Sequence, residues 1–99
     1  MDKIMIEMPP VKNCMANECV YNANSCCHAR AITIGDTTHP ACDTFQAGQQ
    51  HTHKMEIMAG IGACKTSICK FNDDFECSAD SVQVGLVHSE ANCMTFAMR

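Results

Sequence analysis

Large apolar side chains are scarce in this chain of 99 residues, which has no Trp, one Tyr, four Phe and a single Leu. Ile, Leu, Val and Phe together number 17, so the hydrophobic fraction of 46% is carried mainly by 11 Ala, nine Cys and eight Met. Ordering a chain of this length costs on the order of 100–200 kcal/mol of conformational entropy. That scarcity excludes a fold held by an ordinary aliphatic and aromatic core alone. Small domains so placed use disulfides, metals or oligomerisation instead.

Other absences narrow the function. No stretch approaches the ~20 apolar residues of a membrane span. The first ten residues place Glu7 where a leader would need its apolar centre and meet Pro9-Pro10 at once, which argues against a signal peptide and predicts a cytoplasmic protein without membrane attachment. Seven Lys and Arg are scattered and the net charge is −4, so no basic face for nucleic acid is expected. There is no nucleophile elbow, phosphate-cradling Gly loop, HExxH or distinctive carboxylate pair. No catalytic residue is predicted, and the chain is read as a non-enzyme.

What is present is cysteine, twice over. A shift of 50 residues lays Cys14, Cys19 and Cys27 on Cys64, Cys69 and Cys77, and one extra residue in the second copy lets Cys42 meet Cys93. The spacings are C-x4-C-x7-C-x14-C and C-x4-C-x7-C-x15-C. The same register aligns Asn22 with Asn72, Ala29 with Ala79, Gly35 with Gly85 and Thr44-Phe45 with Thr95-Phe96, and pairs Tyr21 with Phe71, Ile32 with Val82 and Ile34 with Val84. The chain is an internal duplication, divided as a first four-cysteine copy over 1–46, a polar linker over 47–54 and a second copy over 55–99.

The pattern predicts a small, metal-stabilised, β-rich and irregular fold of short strands and turns with little helix. Ile32-Thr33-Ile34 and Val82-Gln83-Val84 alternate as strands do and run into Gly35 and Gly85 as turns. The Cys-x-Thr-Phe segments are expected to form the return strands. Asn22 and Asn72 are expected to cap a short helical turn leading to the third cysteine.

Nine is an odd count for a closed disulfide framework, and cytosolic thiols stay mostly reduced. Four thiolates per copy suit a tetrahedral zinc-type ion with no open position for catalysis. Backbone N–H groups from turns at Ala29, Gly35 and their partners would then balance the charge on sulfur. The predicted metal ligands are Cys14, Cys19, Cys27 and Cys42, and Cys64, Cys69, Cys77 and Cys93, for two zinc ions per chain. Two disulfides per copy are the competing use of the same residues.

Cys26 faces Glu76 in the alignment and is a ninth, spare thiol, with a role as an accessory ligand or redox handle as the alternative. His39 and His88 precede the fourth cysteine at unequal distances, so they are candidate accessory ligands or plain surface histidines. His28 faces Ser78 in the other copy and is not part of the shared site, and His51-x-His53 is read as solvated linker, with weak metal binding as the alternative. Met5-x-x-Met8 and Met55-x-x-Met58 make copper possible, since thioether and thiolate both favour Cu(I), but Met also fills gaps where Leu is short.

The segments Cys19-Val20-Tyr21-Asn22, Cys27-His28-Ala29, Ile32-Thr33-Ile34 and Cys42-Asp43-Thr44-Phe45 resemble a small bacterial cysteine-rich family, domain of unknown function 1540. Cys69-Lys70-Phe71-Asn72, Cys77-Ser78-Ala79, Val82-Gln83-Val84 and Cys93-Met94-Thr95-Phe96 resemble it again. The resemblance implies four metal-binding cysteines per copy, often in tandem pairs, and carries no activity. The expected function is a metal-binding scaffold for an unknown protein partner. The alternative is a protein that buffers or senses Cu(I), Zn or Cd, and a disulfide-stapled spore or extracellular protein ranks behind both.

Overall fold

The computed structural model describes residues 8–99, so Met5 of the first Met-x-x-Met pair and the rest of the first seven residues lie outside the described part. Ten short strands form, and no helix occurs among the described residues. In the first copy these are β1 (Val11–Cys14), β2 (Asn22–Ala23), β3 (Cys26–Cys27), β4 (Ala31–Gly35) and β5 (Ala41–Cys42). The second copy repeats them as β6 (Gly60–Cys64), β7 (Asn72–Asp73), β8 (Glu76–Cys77), β9 (Val82–Val87) and β10 (Glu90–Cys93). The β-rich, irregular fold expected from composition is what forms.

The copies follow one another in sequence but interleave in space. One six-stranded sheet has the order β1-β9-β10-β5-β4-β6, and the hairpins β2-β3 and β7-β8 stand apart from it. Each copy sends its first strand across to the other: β1 runs parallel to β9, with Cys14 opposite Val84, and β6 runs parallel to β4, with Cys64 opposite Ile34. At the centre β5 and β10 are antiparallel, with Ala41 opposite Asn92. Exchanging the two copies reproduces the strand order, so the sheet has a pseudo-twofold axis through this central pair. The outer strands also meet at one Pro10–Gly60 bridge, where Val11 N–H donates to Ala59 O and Ile61 N–H to Pro9 O, both at 2.9 Å.

Alternation sets which side chains are buried. Ile32 and Ile34 on β4, and Val82 and Val84 on β9, are at most 2% exposed, whereas Gln83 between the valines is exposed. Val11 and Cys14 would face opposite ways on a regular strand, being three residues apart. A bulge in register between Val11 and Asn13 rephases β1 so that both are buried, and β6 repeats the device between Ile61 and Ala63. The consequence is a mixed core: Ile34 lies between Cys42 of its own copy and Cys64 of the other, and Val84 between Cys93 and Cys14.

Three local expectations are corrected. Asn22 and Asn72 cap no helical turn. They begin two-residue hairpins whose tips, Asn24-Ser25 and Asp74-Phe75, have φ of 55° and 62° and of 53° and 69°, the twist that suits right-handed strands. The turn expected at Gly85 lies further on at His88-Ser89, with φ 51° and 65°, because β9 runs through to Val87. Gly85 serves close approach instead, since a Cβ there would lie 2.7 Å from Met94 Cγ, and at Gly35 a Cβ would collide with the Asp43 carboxylate. Last, the return strands end on Cys42 and Cys93, and the Thr-Phe that follows is a turn.

Residues 46–52 are tied to the first copy. Val20 N–H donates to Gln46 O at 2.7 Å and Thr52 N–H to Val20 O at 2.9 Å. The ring nitrogens of His51 meet Asn22 O at 2.7 Å and Gly48 O at 3.1 Å.

Candidate metal centres

Each of the four matched cysteines in a copy is placed by a different piece of backbone. The first comes from the end of β1 or β6, and the second from the turn that follows, where Cys19 N–H donates to Ala16 O and Cys69 N–H to Thr66 O, both at 3.1 Å. The third closes the hairpin on β3 or β8, and the fourth ends β5 or β10. The buried Asn of each hairpin ties the first piece to the third: Asn22 Nδ2 donates to Cys14 O at 2.7 Å and Asn72 Nδ2 to Cys64 O at 2.8 Å. These amides, read from sequence as caps, are cross-braces of the sites.

So placed, the cysteines gather by copy. Cys14, Cys19, Cys27 and Cys42 line one small pocket, and Cys64, Cys69, Cys77 and Cys93 line another. Each space is about 10 Å³, room for roughly one water-sized guest. The walls are shared between copies, since Val84 and Ala91 border the first space and Ile34 and Pro40 the second. All nine cysteines are free thiols in this structure. Among the described residues no group of three or more His, Cys, Asp or Glu is already arranged to hold an ion.

Burial dominates the electrostatics of both clusters. Burial pushes the Cys27 thiol up to about 11; the Ala29 N–H opposes the rise, and neighbouring Cys14, Cys19 and Cys42 add to it. Burial likewise pushes Cys93 to about 11 against the N–H groups of Thr95 and Phe96. Cys42 and Cys77 are raised for the same first reason, opposed by the N–H groups of Thr44 and Phe45 and of Ala79. A buried thiolate cluster is therefore disfavoured by itself. The Ala29 and Ala79 donors were legible from sequence, whereas the donors that oppose the rise at Cys42 and Cys93 come from Thr44, Phe45, Thr95 and Phe96 rather than from Gly35 and Gly85. The missed donors lie in Cys-x-Thr-Phe, and the repeat of that tetrapeptide was the signal that marked them. Its Thr also braces the turn, with Thr44 Oγ1 accepting from Thr33 N–H at 3.1 Å and Thr95 Oγ1 from Gln83 N–H at 3.0 Å.

The accessory candidates stand elsewhere. Cys26 pairs with Ala23 on the hairpin and lines neither space. His39 Nε2 meets the Glu90 carboxylate, and His88 occupies an exposed hairpin tip. Met55 and Met58 are exposed and border neither cysteine cluster. The ring nitrogens of His28 meet Ile57 O and Ala23 O. Among the described residues one buried side-chain polar atom has no partner: Thr66 Oγ1, on a residue with no exposed surface that borders the second space. Leaving such a hydroxyl unpaired costs about 1–3 kcal/mol.

No helix among the described residues is long and apolar enough to cross a membrane. No curated protein and no solved structure matches the chain. The family profile described as Domain of Unknown Function (DUF1540) matches twice, over residues 13–55 and 63–96. These spans take in all eight clustered cysteines, the bracing asparagines and both Cys-x-Thr-Phe turns, and the chain belongs to the DUF1540 family as a tandem pair.

Proposed function

We propose that the protein is a non-enzymatic metal-binding scaffold that holds one zinc-type ion in each copy, on Cys14, Cys19, Cys27 and Cys42 and on Cys64, Cys69, Cys77 and Cys93. The observation that carries this reading is the gathering of four same-copy thiols around each of two small pockets, with backbone N–H groups directed at the third and fourth sulfurs. A four-thiolate shell is closed to water, which suits a structural role and leaves no position for catalysis. Zinc fits the thiolate set and needs no redox partner. In a chain with few large apolar residues, the ions supply folding energy that the core lacks.

The test is elemental mass spectrometry on protein purified under reducing conditions without added metal, paired with thiol counting. The expected result is about two zinc per chain, with eight thiols protected until a strong chelator is added. Metal content below one per chain with the cysteines oxidised overturns the reading in favour of disulfides. More than two soft-metal ions per chain, exchanged freely, favours a buffer instead.

A further inference from the structure

The two sites are matched ligand for ligand, and they differ at one buried position between the first and second cysteines. The first copy has Ala16 there and the second has Thr66; both residues are buried and each borders its own thiol cluster. The backbone is the same in both, since the carbonyl of each residue accepts the N–H of the second cysteine at 3.1 Å. Only the side chain changes. Thr66 Oγ1 has neither solvent nor a hydrogen-bond partner. A hydroxyl buried without a partner needs an explanation, and this one belongs to a residue that lines the same space as Cys64, Cys69, Cys77 and Cys93, with no sulfur in hydrogen-bonding position. A neutral thiol is a weak acceptor. A metal-bound thiolate is a charged one, and hydrogen bonds to charged acceptors are the stronger kind.

We infer that the Thr66 hydroxyl donates a hydrogen bond to a thiolate of the loaded second site, and that this donor makes the two sites unequal. This rests on the metal reading above and extends it. The hydroxyl rotates about its Cβ–Oγ bond, so it can meet a sulfur as the site closes. A donor to a metal-bound thiolate draws charge from the sulfur, which lowers its reactivity toward electrophiles and protons. The second site, with one more donor than the first, shields its cysteines better from a first attack. The first site, with the Ala16 methyl in that place, is the one that yields first.

The test uses the full chain loaded with two equivalents of zinc, limiting N-ethylmaleimide, and peptide mass spectrometry to give an alkylation rate for each cysteine. In the natural sequence, Cys14, Cys19, Cys27 and Cys42 should react faster than Cys64, Cys69, Cys77 and Cys93. Thr66→Val keeps the shape and removes the donor, and should speed the second set about tenfold, the size of one hydrogen bond to a charged acceptor, while leaving the first set unchanged. Thr66→Ser keeps the hydroxyl and should hold the second set near its natural rate, a separation that loss of packing alone would not give. Ala16→Ser carries a hydroxyl into the first site and should slow the first set, so the inference stays testable if Thr66→Val folds poorly. Two bound ions with second-set rates unchanged in Thr66→Val, or raised as much by Thr66→Ser, overturn this inference alone. Less than one zinc per chain in the natural sequence overturns both it and the metal reading.

Discussion

Cys19→Ser removes one ligand from the first copy, and the sheet determines how far the damage spreads. The ion of a four-thiolate site contributes ~10–16 kcal/mol to folding, as much as or more than the ~5–15 kcal/mol by which a whole domain is stable. Three of the five strand pairings in the sheet join the copies: β1 with β9, β10 with β5, and β4 with β6. If the first copy disorders, β6 loses its only sheet neighbour and β9 and β10 are left as a lone hairpin, which is marginal in water. Ile34 and Pro40, two walls of the second site, go with it. The expected outcome is therefore loss of both ions, from about two per chain to below about half an ion, with one cooperative collapse by circular dichroism. Elemental analysis beside Cys26→Ser, which should retain two ions, makes the comparison. A Cys19→Ser protein that keeps one tightly held ion in a folded second copy would refute the reasoning and show two sites that fail separately.

Asn22→Ala should cost about 1–3 kcal/mol, because it leaves the Cys14 carbonyl without its buried 2.7 Å partner; denaturant unfolding of the loaded protein measures this, and a change below about 0.5 kcal/mol contradicts the bracing role. Gly85→Ala should destabilise by about 1–3 kcal/mol through overpacking against Met94 Cγ at 2.7 Å, and adding Met94→Ala should restore most of the loss in the same assay. The pH dependence should reverse with metal. In metal-free, reduced protein the Cys27 and Cys93 thiols are raised from 9.0 to about 11, so the unfolded chain sheds protons first; stability is full below pH ~9 and falls as pH rises from ~9 to ~11. Loaded protein, its thiols already deprotonated, should lack that decline and lose its ions on acidification, and unfolding midpoints across pH with and without chelator decide the point.

Legibility in the sequence followed the range of each interaction. The duplicated cysteine register located both thiol clusters, because four ligands at fixed spacing define a copy regardless of how the chain folds. Alternation at Ile32-Thr33-Ile34 and Val82-Gln83-Val84 located β4 and β9, since burial on one face is a local pattern. The exchange of β1 and β6 between copies left no local mark, because a strand's composition does not say which neighbour it will have. The hairpin tips were missed for another reason: Asn24-Ser25 and Asp74-Phe75 hold positive φ without glycine, so the usual turn signal was missing and Asn looked like a cap. Gly35 and Gly85 misled in the opposite direction, since glycine marks both turns and close approach, and only Asp43 and Met94 lying over them separates the two.

The crossed strands also set a clock on synthesis. Val11 completes its pairing only when Val82 exists, about 70 residues later, and at about 5–20 residues per second that interval is roughly 4–14 s. By the last 40 residues of that interval the first copy has all four of its cysteines synthesised, ahead of the sheet that will wall them in. Ala91, which borders their space, comes later still. The earliest-made thiols are thus the longest exposed to oxidants and stray ions, and metal delivered while the chain is still growing would meet an unfinished first site before any second site exists.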